Sequence, residues 1–586
     1  MRRGEIWDSL IHEWDILIIG GGITGAGIFR EAVRAGYHTL LVDKKDFAWG
    51  TSSRSTKLVH GGLRYLKQGK VSLTRMSIKE RDILLEEAPG LIDPLGFLLT
   101  VYEREPSARW IFEAGLTIYE LLALQWGHQY YDANDFRSFA PYIKTNGLEG
   151  GFRYGDAKTD DSRLVLRVIR EAVRDGGVAI NYVNAKELII KDNQVKGLVL
   201  ADEVDKKSIA IFPKIIVNAT GAWADRLRGE INMSPKLRPL RGSHLIFPSW
   251  RLPVAQAVSF LHPYDGRPVM ILPWEGITLV GTTDVDHYED LDIEPSISQD
   301  EIAYLMAAVE SVFPSLNITI KDILSTFSGV RPVIGTGKIN PSEESRDHIV
   351  LDENGLITVT GGKLTTFRRI ALDTLKVIEK KVPPKNKISD NVSVLNQIEK
   401  SVLDNYPGLS ETCKRKLVGR YGEEAPYIID GGHIGENQYV PGSKTLWSEI
   451  RWGAKCEGVI HLDDLLLRRV RLGLTLGREI QQYYPKIEEI CHEELGWNKT
   501  KWVEEKNRYE ELWLKHYFLP PEISMKHNHI KAESMAHYKK NIKTSDREIL
   551  NIRLIGSATL FILFLISTIF FWIYRLKRLE SKDHMF

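Results

Sequence analysis

Cysteine is scarce in this chain of 586 residues: Cys413, Cys456 and Cys491 are the three present, and none of their spacings suits a metal site. So few cysteines argue against a disulfide-stabilised secreted protein and favour a reducing compartment that faces the cytosol. The net charge is also close to zero, at +1, because 78 Lys and Arg residues are balanced by 77 Asp and Glu residues. We therefore expect no metal and no nucleic acid as a partner, and any recognition of anions must be local.

We also expect no secretory leader, since residues 1–14 carry several charges and no long apolar run. At the other end, residues 554–574 are 21 residues without a charge, which is about the length that crosses a hydrocarbon core of roughly 30 Å. We interpret them as a single-pass C-terminal transmembrane helix in a lipid bilayer, followed by a basic tail at 575–586. The alternative is a buried helix inside a large domain. Basic residues flank both ends, so the expectation that the catalytic domains face the cytoplasm rests on the expectation of no leader.

A glycine-rich turn joins a predicted strand at 14–19 to a predicted helix. Gly20, Gly22 and Gly25 fit the spacing G-x-G-x-x-G, and the next predicted strand ends at Asp43, 23 residues after Gly20. Bare backbone lets a diphosphate approach the amides of the helix N-terminus, while the acid accepts hydrogen bonds from ribose hydroxyls. A glycine motif alone is often a tight turn, but the strand, the helix and the acid together predict a dinucleotide site.

Two later predicted strands also end in small residues, 214–218 before Thr220 and Gly221, and 357–360 before Gly361. Each junction taken singly is as often an ordinary turn. A domain that binds NAD would not need these further close approaches of the backbone, so we predict FAD, which is the longer dinucleotide. Strand ends so far apart in the chain predict one sheet assembled from distant pieces.

The predicted fold class is α/β, with a Rossmann-like FAD-binding domain interleaved with an antiparallel-sheet cap domain. Short apolar runs alternate with turns over 245–285, as in an antiparallel sheet. Helical periodicity follows a proline- and lysine-rich boundary at 380–385, for example over 462–476. The predicted organisation is a cofactor and cap region over 14–380 (cap mainly at about 90–150 and 240–330), a helical C-terminal domain over 388–519, a polar linker over 520–553 and the transmembrane helix.

Residues 51–66, TSSRSTKLVHGGLRYL, closely resemble the FAD-dependent glycerol-3-phosphate dehydrogenases of the respiratory, quinone-linked type. The resemblance spans about residues 15–370 and continues more weakly through LDDLLLRR at 462–469. It implies a fold of the glycine-oxidase and amino-acid-oxidase type, and sn-glycerol 3-phosphate as the substrate. Five further blocks carry it in order: RGSH at 241–244, GTTD at 281–284, GVRP at 329–332, SRDH at 345–348 and GGKLTT at 361–366.

The resemblance also implies roles for individual residues. The expected contacts with FAD are Gly20, Gly22, Gly25, Asp43, Ser52, Ser53, Lys57, Thr220, Gly221, Lys363, Leu364 and Thr365. The residues expected around the substrate are Arg64, Tyr65, His244, Arg331 and Arg346.

Arginine suits this substrate on physical grounds, because planar guanidinium groups bind phosphate oxygens bidentately. Without the resemblance, Arg331 would more often be a surface ion-pair partner. His60 is the first candidate for the base that takes the C2 hydroxyl proton and His244 the second, since unperturbed histidine titrates at about 6.5. Each could instead be a hydrogen-bonded core residue. Lys363 joins His60 and Arg331 as a catalytic group that favours the reduced flavin electrostatically, and its alternative is a solvated lysine.

The electron acceptor varies within this family. The transmembrane segment favours membrane quinone. Related oxidases that reduce oxygen tend to carry an extra segment in the cap, and here 14 residues separate Arg331 from Arg346, which favours a dehydrogenase. Two other functions stay open: a glycerophosphate, amine or amino-acid oxidase of the same fold, and a membrane-tethered flavin sensor without turnover. A homodimer also stays open.

Overall fold

The structure of the chain, a computed structural model, describes residues 3–521 except 64–65, 67–68, 104–108, 124–126, 340, 342–343 and 390–391. Its strands are β1 Ile16–Ile19, β2 Thr39–Val42, β3 Leu58–Val59, β4 Ile92–Tyr102, β5 Gln129–Asp132, β6 Leu148–Thr159, β7 Val178–Ile180, β8 Val183–Lys191, β9 Gln194–Asp202, β10 Ser208–Ile211, β11 Ile215–Asn218, β12 Leu237–Pro248, β13 Ala257–Leu261, β14 Pro268–Trp274, β15 Ile277–Gly281, β16 Val285–Asp286, β17 Ser325–Ile334, β18 His348–Glu353 and β19 Leu356–Gly361. Its α-helices are α1 Arg3–Asp8, α2 Ile23–Arg34, α3 Val71–Glu87, α4 Arg109–Ala123, α5 Ala133–Phe139, α6 Asp161–Arg174, α7 Ala224–Glu230, α8 Gln299–Val312, α9 Phe367–Ile378, α10 Glu411–Tyr421, α11 Ala425–Asp430, α12 Trp447–Cys456, α13 Leu472–Thr475, α14 Tyr484–Leu495 and α15 Lys499–His516.

A six-stranded sheet has the order β18-β19-β11-β1-β2-β7, and all of its strand pairs are parallel except the pair of β18 with β19. All four residues of β1 are buried, as expected of a central parallel strand covered on both faces. Ile16 and Ile18 pack with helices α2, α6 and α9, whereas Leu17 and Ile19 pack with β8, β9 and β10. The alternation of side chains along β1 therefore places helices on one face and a three-stranded sheet on the other.

A ten-stranded sheet has the order β16-β12-β15-β14-β13-β4-β6-β3, with β17 paired to β12 and β5 paired to β6. These pairs are antiparallel apart from β4 with β13, which is parallel. Strand β17 pairs with β12 along the whole length of β17, from Leu237 opposite Ile334 to Ile246 opposite Ser325. This pairing carries β17 from the ten-stranded sheet toward the ends of the parallel strands.

The C-terminal helices α12 to α15 share a hydrophobic core with the ten-stranded sheet, to which Phe327 and Leu465 both contribute. The predicted α/β class, the Rossmann-like sheet and the helical C-terminal region are confirmed. The segment 462–476, chosen for its helical periodicity, contains a break, because a π-helical turn occupies Asp464–Arg469 and Arg471 has a φ of 61°.

Buried ion pairs accompany that break. Arg468 and Arg469 both reach the buried Asp46, with N–O distances of 2.5 and 2.6 Å, while Arg471 pairs with Asp161. A buried charge needs a partner inside the protein, and these three arginines find theirs in this segment.

No helix in the described part of the chain is both long and apolar enough to cross a bilayer. The predicted transmembrane helix, 554–574, the basic tail and almost all of the predicted linker lie outside the described residues. Within the described range, everything up to Pro521 belongs to one compact unit.

Candidate active site

A cavity of about 450 Å³ lies at the carboxyl ends of the parallel strands. The residues that follow β1, β2, β11 and β19 line it, together with residues of β17. Ligands of open α/β sheets bind at this edge, because the strand ends leave a crevice there. The predicted site residues that line the cavity are Gly20, Gly22, Asp43, Ser52, His60, Thr220, Gly221, Arg331, Arg346, Lys363, Leu364 and Thr365.

The glycine-rich turn gives the cavity a wall of bare backbone. Gly20 and Gly22 line it, and Gly22 precedes the first residue of α2. Gly25 does not line it. A Cβ atom on Gly25 would overlap the carbonyl oxygen of Gly20, so this glycine lets α2 pack closely against the end of β1. An anion beside Gly22 would meet N–H groups of the first helical turn, where the helix dipole favours negative charge.

Asp43 follows β2 and holds its carboxylate at the cavity wall. Its Oδ2 accepts a hydrogen bond of 2.6 Å from the N–H of Gly21, and its Oδ1 accepts one of 2.8 Å from the N–H of Lys45. Burial raises the pKa of Asp43 to about 7 in spite of these hydrogen bonds. A ribose hydroxyl that donates to the carboxylate would favour its ionised form.

Ser52 lies in the cavity wall, and its Oγ accepts a hydrogen bond of 2.9 Å from the N–H of Ile23 at the start of α2. Ser53 and Lys57 were expected beside it but do not line the cavity. The buried ammonium group of Lys57 lies 2.9 Å from Asp161 and donates to the carbonyl oxygen of Ser53. A contact between this ammonium group and a ligand in the cavity would require the buried ion pair to break.

A second bare turn follows β11. Thr220 and Gly221 line the cavity, and Gly221 has a φ of 60°, a conformation that glycine adopts at little cost. The Thr220 hydroxyl donates to Oδ1 of Asn218 at 2.7 Å, and the Thr360 hydroxyl donates to the carbonyl oxygen of Gly221 at 3.1 Å. With the Gly20 turn, the helix N-terminus and Asp43, this second close approach of backbone fits a cofactor as long as FAD.

The segment after β19 brings a cation and a histidine together. Lys363 lines the cavity and donates to the hydroxyl of Ser77 at 3.2 Å. Burial lowers the pKa of Lys363 to about 7, so its charge is only partly retained at neutral pH. Thr365 accepts a hydrogen bond of 3.1 Å from the backbone N–H of His60, which holds the two segments side by side.

The structure separates the two candidate bases. His60 is half-buried and lines the cavity, whereas His244 is 1% exposed and does not. His244 stacks on Phe327 with ring centroids 4.5 Å apart, and its Nε2 lies 3.0 Å from the Thr56 hydroxyl. Burial, with Arg331 and Lys57 nearby, lowers the pKa of His244 well below 6.5. His244 is therefore a neutral core histidine one layer behind the cavity, and His60 is the histidine that can reach a ligand.

Two guanidinium groups line the cavity and share one carboxylate. Arg331 lies 3.0 Å from Oδ1 of Asp284, and Arg346 lies 2.8 Å from Oδ2 of the same residue. Arg331 also donates to the carbonyl oxygen of Thr283 at 3.2 Å and to the hydroxyl of Thr282 at 3.0 Å. Of the predicted substrate residues, the structure thus brings Arg331 and Arg346 together. Arg64 and Tyr65 lie outside the described residues.

Sequence reasoning missed the residues that bound the cavity near Asp43. Asp292, from the segment after β16, lies 3.0 Å from Lys44 and 2.7 Å from Arg226, and it accepts a hydrogen bond of 3.1 Å from the indole of Trp223. Trp49 lies beside Trp223 with ring centroids 5.8 Å apart. Trp223 follows the small residues after β11, which is a usable signal, but nothing in the sequence near Asp292 predicts its place here.

Comparison with known proteins agrees with this geometry. A family model described as FAD dependent oxidoreductase matches residues 15–368, and one described as the C-terminal domain of alpha-glycerophosphate oxidase matches residues 385–502. The chain is 36% identical over 453 residues to the aerobic glycerol-3-phosphate dehydrogenase of Bacillus subtilis, covering 73% of this chain and 81% of that protein. It is 34% identical over 530 residues to the enzyme of the same name from Staphylococcus aureus, covering 85% and 94%.

A solved structure is similar as well. The glycerol-3-phosphate dehydrogenase from Bacillus halodurans complexed with FAD matches with a TM-score of 0.71 and 28% identity, covering 88% of this chain and 97% of that one. The similarity therefore includes both the cofactor region and the helical C-terminal region.

Proposed function

Because the chain belongs to the family of FAD-dependent glycerol-3-phosphate dehydrogenases, we propose that it oxidises sn-glycerol 3-phosphate to dihydroxyacetone phosphate and passes the electrons to membrane quinone. The family membership and FAD as the cofactor, both predicted from the sequence, are confirmed. One observation carries the proposed substrate: paired guanidinium groups line the same cavity as the dinucleotide turn.

The substrate's charge fits that pair. A phosphomonoester carries about two negative charges at neutral pH, and guanidinium groups bind its oxygens through fixed pairs of N–H donors. Arg331 and Arg346 bring two positive charges, and Asp284 offsets one of them. An amino acid carries a single carboxylate and would leave part of this donor set unused, so the site favours the phosphorylated alcohol over an amino acid.

Each remaining group has a chemical task. Arg331 and Arg346 hold the phosphate, which fixes the C2 hydroxyl. His60 accepts the proton from that hydroxyl, so that the C2–H bond breaks with both electrons leaving C2 and a carbonyl forms. When bound, FAD supplies the acceptor for that hydride. The positive charge of Lys363 favours the negative charge that hydride transfer adds to the site.

Quinone as the acceptor and the membrane location form the second half of the proposal. Residues 554–574 are proposed to cross the bilayer as a single C-terminal anchor, with the catalytic part on the cytoplasmic side. The hydropathy of that segment and the word aerobic in the names of the relatives support it. Oxygen as the acceptor is the competing possibility, because the C-terminal family model carries the name of an oxidase.

Anaerobic addition of sn-glycerol 3-phosphate to the purified yellow protein tests the reaction. We expect the visible absorbance of the flavin to bleach, with glycerol and glycine as matched compounds that lack the phosphate and leave the flavin oxidised. Readmitting either a soluble quinone or oxygen then separates the acceptors, because a dehydrogenase is reoxidised faster by quinone. A flavin that stays oxidised with glycerol 3-phosphate contradicts the proposed substrate.

The anchor makes a separate prediction. Deletion of every residue after Pro521 should release a water-soluble protein that retains FAD and oxidises glycerol 3-phosphate with an artificial dye, because the cavity and its supporting core lie before that residue. The full-length chain should stay in membranes through high salt and alkaline washing, since a span of about 20 apolar residues inserts stably. Release of the full-length chain by salt alone would contradict the transmembrane assignment.

A further inference from the structure

Asp284 joins the two arginines that line the substrate end of the cavity, although sequence reasoning gave it no role. Each of its carboxylate oxygens pairs with a different arginine, Oδ1 with Arg331 at 3.0 Å and Oδ2 with Arg346 at 2.8 Å. The Asp284 side chain is 8% exposed, while those of Arg331 and Arg346 are 23% and 14% exposed. The carboxylate therefore lies behind the two guanidinium groups, which face the cavity.

The shared carboxylate offsets two costs of placing two arginines at one site, electrostatic repulsion and loss of side-chain freedom. Two guanidinium groups that converge on one phosphate repel each other before the substrate arrives, and each has a long, flexible side chain. A carboxylate between them offsets the repulsion and restricts both side chains. Arg331 and Arg346 come from separate segments, β17 and the loop before β18. A shared partner is thus what keeps their guanidinium groups at a constant spacing.

Gly242 contributes by having no side chain. It pairs with Gly329 across β12 and β17, and a Cβ atom on Gly242 would overlap the guanidinium group of Arg331. The Arg331 side chain therefore crosses the sheet over the bare backbone of Gly242 on its way to Asp284. Any larger residue at 242 would push the guanidinium group away from that carboxylate.

We propose that Asp284 is a positioning residue that ties Arg331 and Arg346 into one preformed phosphate-binding pair, and that Gly242 leaves the space this pair requires. The inference rests on the proposed function, because it assigns the pair to the phosphate of the substrate. It makes Asp284 a determinant of affinity for phosphorylated ligands, whereas FAD binding depends on the Gly20 turn elsewhere in the cavity.

Asp284→Asn tests the proposal, with Asp286→Asn as the matched control. Asp286 lies two residues further along, and its carboxylate oxygens lie 2.6 and 2.8 Å from Arg238, an arginine that does not line the cavity. A misplacement of about 1 Å costs on the order of 100-fold in rate, so we expect kcat/KM for glycerol 3-phosphate to fall by about 10- to 100-fold. The loss should lie mainly in KM, with flavin content unchanged.

Binding gives a readout that does not depend on turnover. Dihydroxyacetone phosphate is titrated into the oxidised protein and followed through the flavin spectrum. The dissociation constant should rise at least about tenfold in Asp284→Asn and stay at the parental value in Asp286→Asn. Parental affinity in Asp284→Asn overturns the proposal. If the parent protein itself is not bleached by glycerol 3-phosphate, the proposed function fails instead, and the two failures are thereby distinguished.

A second variant keeps the test decisive if Asp284→Asn does not fold. Gly242→Ala keeps every charge but should displace Arg331, so it should reproduce the weaker binding of dihydroxyacetone phosphate. Gly155→Ala is its control, because Gly155 lies in β6 with no atom near its Cβ position. Equal affinity in the two alanine variants overturns the proposal, whereas a selective loss in Gly242→Ala supports it.

Discussion

Gly22→Val is expected to yield a folded protein that lacks the yellow colour of bound flavin. Gly22 lines the cavity immediately before α2, where the diphosphate of FAD approaches the helix N-terminus. A Cβ atom there would lie 3.1 Å from Oγ of Ser52, which is tighter than ordinary contact. Valine adds two further methyl groups, which have no room except in the space that the diphosphate needs.

The backbone predicts that the fold itself survives this change. Gly22 has a φ of −79° and a ψ of −177°, an extended conformation that valine adopts readily. The loss is therefore one of binding and not of folding. The ratio of visible flavin absorbance to protein absorbance measures it, and the circular dichroism spectrum verifies the fold.

Gly229→Val supplies the control for Gly22→Val. Gly229 is an exposed residue of α7 with no atom near its Cβ position, so valine there should leave the flavin content at the parental value. A Gly22→Val protein that retains its full flavin absorbance would show that the diphosphate does not lie against this turn.

The cofactor half of the site could be predicted from the sequence because its signals are local. The apolar run of β1, the glycine spacing and Asp43 lie within one βαβ unit, and the structure places Gly20, Gly22 and Asp43 around the cavity. The end of β11 could be predicted for the same reason, since the small residues that include Thr220 and Gly221 come right after an apolar strand. Local patterns of this kind fix strand ends without knowledge of the rest of the fold.

The side that each residue of the 51–66 block faces was not predicted. Ser55, Thr56, Leu58 and His60 line the cavity, whereas Lys57 and Val59 do not. Lys57 has a φ of 63°, so the chain is not extended there and its side chains do not alternate regularly. Strand periodicity in the sequence could therefore not assign a side to each residue of this block.

Long-range pairs were beyond the sequence altogether. Asp284 meets Arg331 and Arg346 across the pairing of β12, β16 and β17, and Arg469 meets Asp46 from more than 400 positions away. The hydrophobic periodicity of the sequence does not indicate such partners, because they depend on how distant elements pack. For the same reason the break at 464–471 could not be predicted from the helical spacing of the leucines.

His60→Ala is expected to retain FAD but to be reduced by glycerol 3-phosphate about 100-fold more slowly, because a positioned general base contributes on the order of 10²- to 10⁴-fold. The backbone around His60 should stay in place, since its N–H donates to the hydroxyl of Thr365 at 3.1 Å and needs no imidazole. Stopped-flow measurement of flavin bleaching under anaerobic conditions gives the rate directly.

The controls separate a proton acceptor from a merely structural histidine. His12→Ala changes an exposed histidine of the N-terminal segment and should reduce its flavin at the parental rate. Added imidazole should partly restore the rate of His60→Ala, because the truncated side chain leaves space in a cavity open to ligands, and it should not change the rate of His12→Ala. Reduction of His60→Ala at the parental rate would mean that another group takes the C2 hydroxyl proton. His244 is an unfavourable substitute, because its imidazole is buried behind the cavity and its pKa is held well below 6.5 by burial and by nearby Arg331.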